Sequence, residues 1–245
     1  MGDKIRINRF LAAAGLGSRR KCEELIRKGR VFVNGERVDR LAVLIDPESD
    51  TIAVDGNPVR IEGKSFVLAL NKPPGVLSTV ADSFKRKTVI DLAREQGFTE
   101  RLYPVGRLDL DTTGIILLTN DGYLAYRLTH PRYKVDKTYD VVVEGRISST
   151  TVSRITRGIR QGDFITQPCE AEIAETYADR TRLRVVLHEG RKRQIKRMFA
   201  LFGHKVIELK RIALGDLQFE DLDMGEIRPL TKKEERRLRE LTGLL

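Results

Sequence analysis

The sequence predicts an α+β protein with two domains. A small domain over residues 1–60 combines a helix pair with a small sheet, and a mixed, largely antiparallel α/β domain follows over residues 61–245. Three observations predict this. Two short amphipathic segments precede a strong hairpin signal, the composition changes after a polar stretch at 59–65, and strand-like runs then alternate with helical ones. At 245 residues the chain is long enough to bury a sizeable core.

The N-terminal domain begins with two predicted helices. The first, RINRFLAAAG, places its apolar residues on one face and ends at Gly15. The second, RRKCEELIRKG, follows Ser18, a residue type that suits an N-cap, and ends at Gly29.

A small sheet is predicted after the helix pair. The segment VFVNGERV alternates apolar residues up to Asn34-Gly35, the strongest short signal for a hairpin. A later run, TIAVDG, would close the sheet. The stretch VRIEGKS at 59–65 has the composition of a linker.

The larger domain begins with an apolar strand, FVLALNK, which a Pro-Pro-Gly turn ends. Strand-like and helical segments then alternate, which indicates a mixed α/β domain. The strand-like runs are IILLT, TYDVVVEG, RLRVVLHEG and KVIELKRIALG, and the helical ones are TVIDLAREQG, YLAYRLTHP, TVSRITRGI and RQIKRMFALFG. The tail, TKKEERRLRELTGLL, predicts a packed terminal helix.

The charge of the chain indicates a polyanionic partner. The formal net charge is +10, and the bases are clustered: residues 1–40 hold eleven Lys or Arg against five Asp or Glu, and residues 191–197 hold five bases in seven positions. A surface charge that serves only solubility is the alternative. Two separate basic clusters favour nucleic acid.

No apolar run is long enough for a transmembrane helix or a signal peptide, so a cytoplasmic protein is expected. Cys22 and Cys169 form no CxxC pattern, and the chain has three His. A structural zinc site is therefore not expected, nor any other metal or a cofactor.

The stretch PVGRLDLDTTGIILLTNDG at 104–122 raises the question of chemistry. Asp109 comes just before a strand that should be buried, where a carboxylate is costly unless a cation pairs with it. Arg107 and the basic cluster at 191–197 are candidate cations. A structural ion pair in a loop is the other interpretation of the same residues.

Several catalytic motifs do not occur: no P-loop, no GxGxxG after a strand and no Gly-x-Ser-x-Gly elbow. Asp109 and Asp111 alone are too few acids for a metal-dependent nuclease. RNA binding without catalysis and catalysis by a single carboxylate nucleophile both stay open.

The N-terminal segment RINRFLAAAGLGSRRKCEELIRKGRVFVNGERV resembles an S4 RNA-binding domain, over about residues 4–55. The resemblance implies that a basic face of the helix pair contacts RNA. Its cations are Arg6, Arg9, Arg19, Arg20, Lys21, Arg27 and Lys28.

The larger domain resembles ribosomal RNA pseudouridine synthases of the RsuA/RluB type. The resemblance rests on GRLD followed by DTTG at 106–114, and on three further segments in the expected order: LNKPPG at 70–75, KTY at 137–139 and EGRKRQIKRM at 189–198. With the S4 domain in front, it spans nearly the whole chain.

That resemblance implies a role for each site residue. Asp109 would be the nucleophile, Tyr139 would stack on the flipped base and help remove the C5 proton, and Lys196 would pair with Asp109. Many relatives carry Arg at the last position, and Lys keeps the charge but loses the bidentate fork. Asp111 is interpreted as a loop acid that caps backbone NH groups. The substrate-binding residues would be Arg107, which braces the vacated space, together with Arg191, Arg193 and Ile195.

The implied function is isomerisation of a specific uridine in ribosomal RNA, by a monomer that acts on rRNA or a pre-ribosomal particle. The stretch LYPVGRLDLDTTGIILLTNDGYLA resembles the large-subunit branch, whereas Lys196 and the following RMFA resemble the small-subunit branch. The large subunit is favoured. The alternative of a different functional class is an rRNA-binding assembly factor without catalytic activity. A DNA-binding repressor lacks support.

Overall fold

The computed structural model describes residues 4–61, 65–219 and 221–244. The chain divides into two compact units, Met1–Ser65 and Phe66–Leu245. The division falls at the end of the stretch expected to be a linker, of which residues 62–64 lie outside the described residues.

The described residues of the N-terminal unit form two helices and six short strands. They are β1 (Ile5–Arg6), α1 (Ile7–Ala13), α2 (Arg19–Arg27), β2 (Val31–Val33), β3 (Glu36–Arg37), β4 (Leu44–Ile45), β5 (Ile52–Val54) and β6 (Asn57–Pro58). Four strands form an antiparallel sheet in the order β3-β2-β5-β6, and β1 pairs with β4.

Local sequence accounts for these elements. Ser18 caps α2 by accepting a hydrogen bond from the Lys21 amide (3.3 Å). Asn34 and Gly35 both have positive φ, 51° and 84°, as a two-residue hairpin of the type I′ class requires. The predicted helix pair and hairpin are confirmed. One detail was wrong: Arg6 lies in β1, at the N-cap position of α1, and not within the helix.

The C-terminal unit is built on one large sheet with helices on both sides. Its elements are β7 (Val67–Lys72), α3 (Val89–Glu95), β8 (Tyr103–Pro104), β9 (Thr113–Thr119), α4 (Gly122–Thr129), a 3₁₀ turn (Pro131–Tyr133), β10 (Lys137–Glu144), α5 (Ser149–Thr156), β11 (Arg160–Gln161), β12 (Phe164–Ile165), β13 (Glu170–Thr176), β14 (Arg180–Leu187), α6 (Gln194–Ala200), β15 (Val206–Leu214), β16 (Leu217–Gln218), β17 (Ile227–Pro229) and α7 (Lys232–Thr242).

The strand order of the sheet is β13-β14-β10-β15-β9-β7-β17, with β16 added beside β15 and β8 beside β9. Within the described part of the chain, every pairing of this sheet is antiparallel except β9 with β15. The expected mixed, largely antiparallel α/β domain is therefore confirmed.

Each face of the sheet has its own apolar core. The first core packs α3, α5 and α6 against one face, and the second packs α4 and α7 against the other. Leu68 and Leu70 of β7 point into the first core, whereas Val67 and Ala69 point into the second. Central strands are thus buried on both sides, so a charged side chain within them must be balanced locally. No described helix has the length and apolar character needed to cross a bilayer.

Candidate active site

Asp109 lies in the turn between β8 and β9, where the Thr112 amide donates to the Asp109 carbonyl oxygen (3.1 Å). The residue is half-buried. Within the described part of the chain, its carboxylate makes no ion pair within 4.0 Å and no hydrogen bond. Both of its oxygens therefore remain available to a ligand.

The prediction that Lys196 pairs with Asp109 was wrong. Lys196, on α6, pairs with Asp111: its Nζ lies 2.5 Å from Asp111 Oδ1. The turn is closed by the Asp109 carbonyl, and within it Asp111 is more exposed than Asp109. It is Asp111 that meets the Lys196 side chain of α6. The Lys196 hydrogen bond lowers the pKa of Asp111. Asp111 therefore pairs with a cation, which the sequence did not predict, and its carboxylate also accepts a hydrogen bond from its own backbone amide.

A second cation near this turn was missed. Lys72, the last residue of β7, is completely buried, and its Nζ donates to the carbonyls of Pro73 (2.9 Å) and Leu110 (3.4 Å). Burial lowers the pKa of Lys72 to about 8, although the charges of Asp111 and Asp109 act in the opposite direction. The signal was present in the sequence as a lysine at the end of a strand that begins with four apolar residues.

Strand pairing places Tyr139 in one row across the sheet with three residues that were not predicted as site residues. Lys72 is in register with Gly114 of β9, Gly114 with Arg211 of β15, and Arg211 with Tyr139 of β10. Neighbouring strands lie about 4.8 Å apart, so the row from Lys72 to Tyr139 spans about 14 Å. The Asp109 turn enters the sheet at this row, between the two ends.

Glycine is required at position 114 because the backbone of β15 approaches it closely. Its φ is +97°, and a Cβ at this position would lie 2.1 Å from the Arg211 carbonyl oxygen. No other residue type fits without moving β15. The glycine of the DTTG segment therefore sets the spacing between the Asp109 turn and the strand that carries Arg211.

Tyr139 lies at the far end of the row and is buried. Its ring belongs to the first apolar core, together with Ile195 and Met198 of α6. Its hydroxyl makes no hydrogen bond with the described residues. Ile195, expected to bind substrate, is a buried residue of the same apolar core.

Two more buried cations accompany Tyr139. Arg211 donates from Nε to the Ile115 carbonyl (2.6 Å), and its buried Nη2 lacks a partner among the described residues. Lys137 donates to the Val135 carbonyl (2.7 Å), and burial and the Arg211 charge lower its pKa to about 8. Sequence reasoning missed both as site residues, because strand register, which the sequence does not show, brings Arg211 opposite Tyr139 and buries Lys137 near the Arg211 charge.

Glu189 fixes the segment that precedes α6 through hydrogen bonds. This buried carboxylate accepts from the Gln167 amide (2.9 Å), from Gln194 Nε2 (2.7 Å) and from Arg191 Nε (3.1 Å). Arg193 follows with a left-handed φ of 53° at the start of the helix. The segment before Lys196 is therefore fixed by hydrogen bonds and backbone geometry, which limits where its Nζ can lie.

The other predicted cations are more exposed. Arg107 and Arg193 are exposed, and Arg191, whose side chain is 49% exposed, lies over the Phe164 ring at 4.1 Å. In the N-terminal unit Arg9 is half-buried, and Arg27 forms an ion pair with Glu23 (3.8 Å). The exposed cations of that unit among those expected to bind RNA are Arg6, Arg19, Arg20, Lys21, Arg27 and Lys28.

Together these groups suit a polyanionic substrate and attack by a carboxylate. Asp109 lies near the buried cation Lys72, and a cation held in this way can stabilise negative charge that develops in a reaction. Exposed arginines around the turn and on the N-terminal unit can contact phosphates.

Comparison with known proteins agrees with this chemistry. Residues 66–201 match the family described as RNA pseudouridylate synthase, and residues 5–52 match the S4 domain. An RNA pseudouridine synthase of Aquifex aeolicus is 44% identical over 98% of this chain and 96% of its own. The ribosomal large subunit pseudouridine synthase B of Bacillus subtilis is 42% identical over 96% of each chain. A crystal structure of a pseudouridylate synthase superposes with a TM-score of 0.68 at 32% identity, over 96% of this chain and 99% of that one.

Proposed function

Since the chain belongs to the RNA pseudouridylate synthase family and carries an S4 domain, we propose that it isomerises a specific uridine of large-subunit ribosomal RNA to pseudouridine. The observation that carries the proposal is the placement of Asp109. Its carboxylate, which has no ion pair among the described residues, lies in the turn that enters the sheet at the row of Lys72, Arg211 and Tyr139, between the two ends of that row.

The reaction breaks the N1–C1′ bond, turns the uracil over, and joins C5 to C1′. N1 gains a proton and C5 loses one, so the product is an isomer and no redox partner is needed. An ionised Asp109 can attack C1′, or draw off the C2′ proton to form a glycal; both routes use the same carboxylate. Neither of them calls on a metal or cofactor.

Tyr139 supports the base after the N1–C1′ bond breaks. Its buried ring offers a flat apolar surface at the end of the row, and its hydroxyl is available to accept or relay the C5 proton. The ring is part of the first apolar core, which also contains Ile195 and Met198 of α6.

The two lysines have different roles in this proposal. Lys196 fixes the turn through Asp111, and thereby positions Asp109 without touching it. Lys72 is the buried cation near both acids, since the charges of Asp111 and Asp109 act to raise its pKa against the effect of burial. Lys196 is thus a positioning residue, and Lys72 supplies the electrostatic support that was first expected of Lys196.

The exposed arginines act on the RNA. Arg107 stands two residues before Asp109 and is free to fill the space that an extruded nucleotide leaves, which offsets part of the few kcal/mol that extrusion costs. Arg191 and Arg193, beside the start of α6, would contact phosphates. The exposed cations of the N-terminal unit add affinity that does not depend on sequence.

The large subunit is favoured by the relative from Bacillus subtilis, whose name states that substrate and whose likeness covers 96% of each chain. A protein with this substrate works in the cytoplasm during ribosome biogenesis, on free rRNA or on a pre-ribosomal particle. We expect it to act as a monomer, since every proposed catalytic group comes from one unit of one chain.

Mapping pseudouridines in the rRNA of the host, with and without this gene, tests the proposal. One large-subunit pseudouridine should disappear on deletion, return with the wild-type gene, and stay absent with Asp109→Asn expressed at the same level. Loss of a small-subunit pseudouridine would assign the other substrate. Unchanged pseudouridines in both rRNAs, with a maturation defect that Asp109→Asn still repairs, would favour the non-catalytic assembly factor.

A further inference from the structure

The direction of the Asp109 carboxylate depends on the backbone of its turn. The side chain is half-buried and makes no ion pair or hydrogen bond with the described residues, so no side-chain partner fixes where its oxygens point. A side chain occupies a few staggered positions relative to its own backbone. A small rotation of the turn therefore moves the carboxylate relative to C1′, and a misplacement of about 1 Å can cost about 100-fold in rate.

One hydroxyl group holds the residue before Asp109. Ser78 Oγ donates to the Leu108 carbonyl oxygen (3.0 Å) and accepts from the Leu108 amide (3.1 Å). Both residues are buried, with 7% and 6% of their surfaces exposed. Among the described residues, these two backbone groups of Leu108 have no other hydrogen-bond partner. A serine hydroxyl can donate and accept at once, so a single side chain satisfies both groups.

Ser78 itself extends from a fixed backbone. The Leu77 amide donates to the Lys87 carbonyl (2.9 Å), and the Leu77 carbonyl accepts from the Val89 amide (2.9 Å). These bonds pair Leu77 with Thr88, the N-cap residue of α3, which forms a capping box at the start of that helix. The hydroxyl that holds the turn is therefore anchored to a helix of the first apolar core.

The residue after Asp109 is held from the same part of the chain. The Leu110 carbonyl accepts from the Gly75 amide (2.8 Å) and from Lys72 Nζ (3.4 Å). Asp109 thus lies between two residues whose backbone groups are bound to the segment 72–78. Ser78 is the member of this segment that binds the side of the turn preceding the nucleophile.

We propose that Ser78 is a positioning residue for the reaction: through the Leu108 backbone, its hydroxyl sets the direction of the Asp109 carboxylate. Ser78 does not touch the substrate. The proposal rests on the proposed function in that Asp109 is the nucleophile. It goes beyond it by giving a role to a buried hydroxyl outside the row across the sheet.

The same unit contains a matched hydroxyl at the end of β10 that is remote from Tyr139. Thr181 Oγ1, completely buried, donates to the Gly145 carbonyl (2.8 Å) and accepts from the Ile147 amide (3.1 Å). Ser78→Ala and Thr181→Val each remove one buried hydroxyl that makes two backbone hydrogen bonds. Both should lower the thermal unfolding midpoint, by about 2 to 10 °C.

Turnover should distinguish the two variants. At saturating RNA, Ser78→Ala should be slower by about 10- to 100-fold, and Thr181→Val should stay within about twofold of wild type. The Kd for rRNA should change by less than about threefold in both, because neither side chain contacts RNA. Ser78→Thr keeps the hydroxyl and should recover most of the rate. Single-turnover tritium release from rRNA labelled at uracil C5, and binding of the same transcript, measure the two quantities.

Three results would overturn the proposal. They are equal turnover in Ser78→Ala and Thr181→Val, a loss confined to Kd, and a folded Ser78→Thr variant as slow as Ser78→Ala. All rates are taken at a temperature where every variant is folded. If Ser78→Ala does not fold, Ser78→Cys takes its place, since a thiol is a weaker donor and acceptor than a hydroxyl.

Amide hydrogen exchange tests the turn without the reaction. The Leu108 amide should exchange faster in Ser78→Ala than in wild type, whereas Thr181→Val should leave its exchange unchanged. Unchanged exchange in Ser78→Ala overturns the positioning role even if turnover falls. If the wild-type protein makes no pseudouridine in rRNA of either subunit, the proposed function is wrong, and the exchange result still decides whether Ser78 fixes the turn.

Discussion

The two units of the chain place their charges in opposite ways. In the N-terminal unit none of the described Lys or Arg side chains is buried, and those expected to bind RNA lie mainly on α2 and at its ends. In the C-terminal unit Lys72, Lys137, Arg211 and Glu189 are buried among apolar strands and helices. Exposed cations bind a phosphate backbone without fixed geometry, whereas chemistry at one atom needs charges that cannot move. We therefore expect substitutions in the first unit to change affinity and those in the second to change turnover.

Asp109→Asn should give the largest effect. Asparagine has nearly the same shape and cannot serve as nucleophile or base, so turnover should fall by at least about 10³-fold. The thermal unfolding midpoint should change little, because the Asp109 side chain has no ion pair or hydrogen bond with the described residues to lose. Tritium release from rRNA labelled at uracil C5 measures turnover, and circular dichroism measures unfolding.

Asp111→Asn is the matched control for this variant. It removes the acid that holds Lys196 but leaves the nucleophile, so it should retain much more activity than Asp109→Asn. Equal losses in the two variants, or residual activity above a few per cent in Asp109→Asn, would remove Asp109 from the role of nucleophile.

The fold could be predicted largely from local signals. The Asn34-Gly35 turn, the Ser18 cap and the long apolar runs each specify an element through nearby residues alone. Strand β13 was not expected, because its segment EAEIAET is rich in Glu and alternates polar and apolar residues only over its first four positions. It forms at the edge of the sheet, where charged residues are favoured because they discourage further pairing.

Only the site residues that lie within sequence motifs could be predicted. Asp109, Tyr139 and Lys196 were named, but which acid Lys196 contacts depends on the shape of the turn, and that shape is not encoded in spacing. Lys72 and Arg211 join the row through strand register, which couples residues that are far apart in the chain. Long-range register was the information that the sequence alone did not provide.

Lys72→Met should be the next largest change. Methionine has a similar length and no charge, so the buried cation near Asp109 is lost, and turnover should fall by about 10- to 100-fold. Since the pKa of Lys72 is about 8, wild-type activity should decline as the pH rises through 8, and this alkaline decline should be missing in the variant. Rates from pH 6 to 9.5 at saturating RNA measure both. A wild-type profile flat to pH 9.5 would contradict the role.

The same variant has a signature in stability. The folded pKa of Lys72 lies below its ordinary 10.5, so between pH 8 and 10.5 the folded protein holds fewer protons at this site than the unfolded chain. The stability of the wild type relative to Lys72→Met should therefore rise with pH across that window and be constant below it. Urea unfolding at pH 7, 8, 9 and 10 measures the difference.

Lys196→Met should have a smaller effect than Lys72→Met, of about tenfold on turnover, because Lys196 acts through Asp111 and does not touch the reacting atoms. Lys196→Arg should recover most of the rate, since Arg keeps the charge and can bind the carboxylate through two hydrogen bonds. Arg193→Met, two positions after the start of the same basic cluster, is the matched control and should change turnover less. A greater loss in Arg193→Met would reassign the positioning cation.

The smallest effect on turnover is expected in the N-terminal unit. Replacing Arg19, Arg20 and Lys21 by Gln in the full-length protein removes three exposed charges from the first turn of α2 without disturbing its apolar side. If all three contact phosphates, the slope of log affinity against log salt should become less steep by about 2, at about 0.7 per contact on single-stranded RNA. Turnover at saturating RNA should stay within about twofold, because these contacts hold ground state and transition state alike.

The matched control replaces Lys232, Lys233 and Arg236 of α7 by Gln. It removes as many charges from the other unit, and its salt slope should stay that of the wild type. Binding across a salt series and single-turnover rates at high enzyme provide the two measurements. An unchanged slope in the α2 variant would show that this face does not bind RNA, whereas a large loss of turnover at saturation would show that the first unit places the target and that affinity and chemistry are not divided between the two.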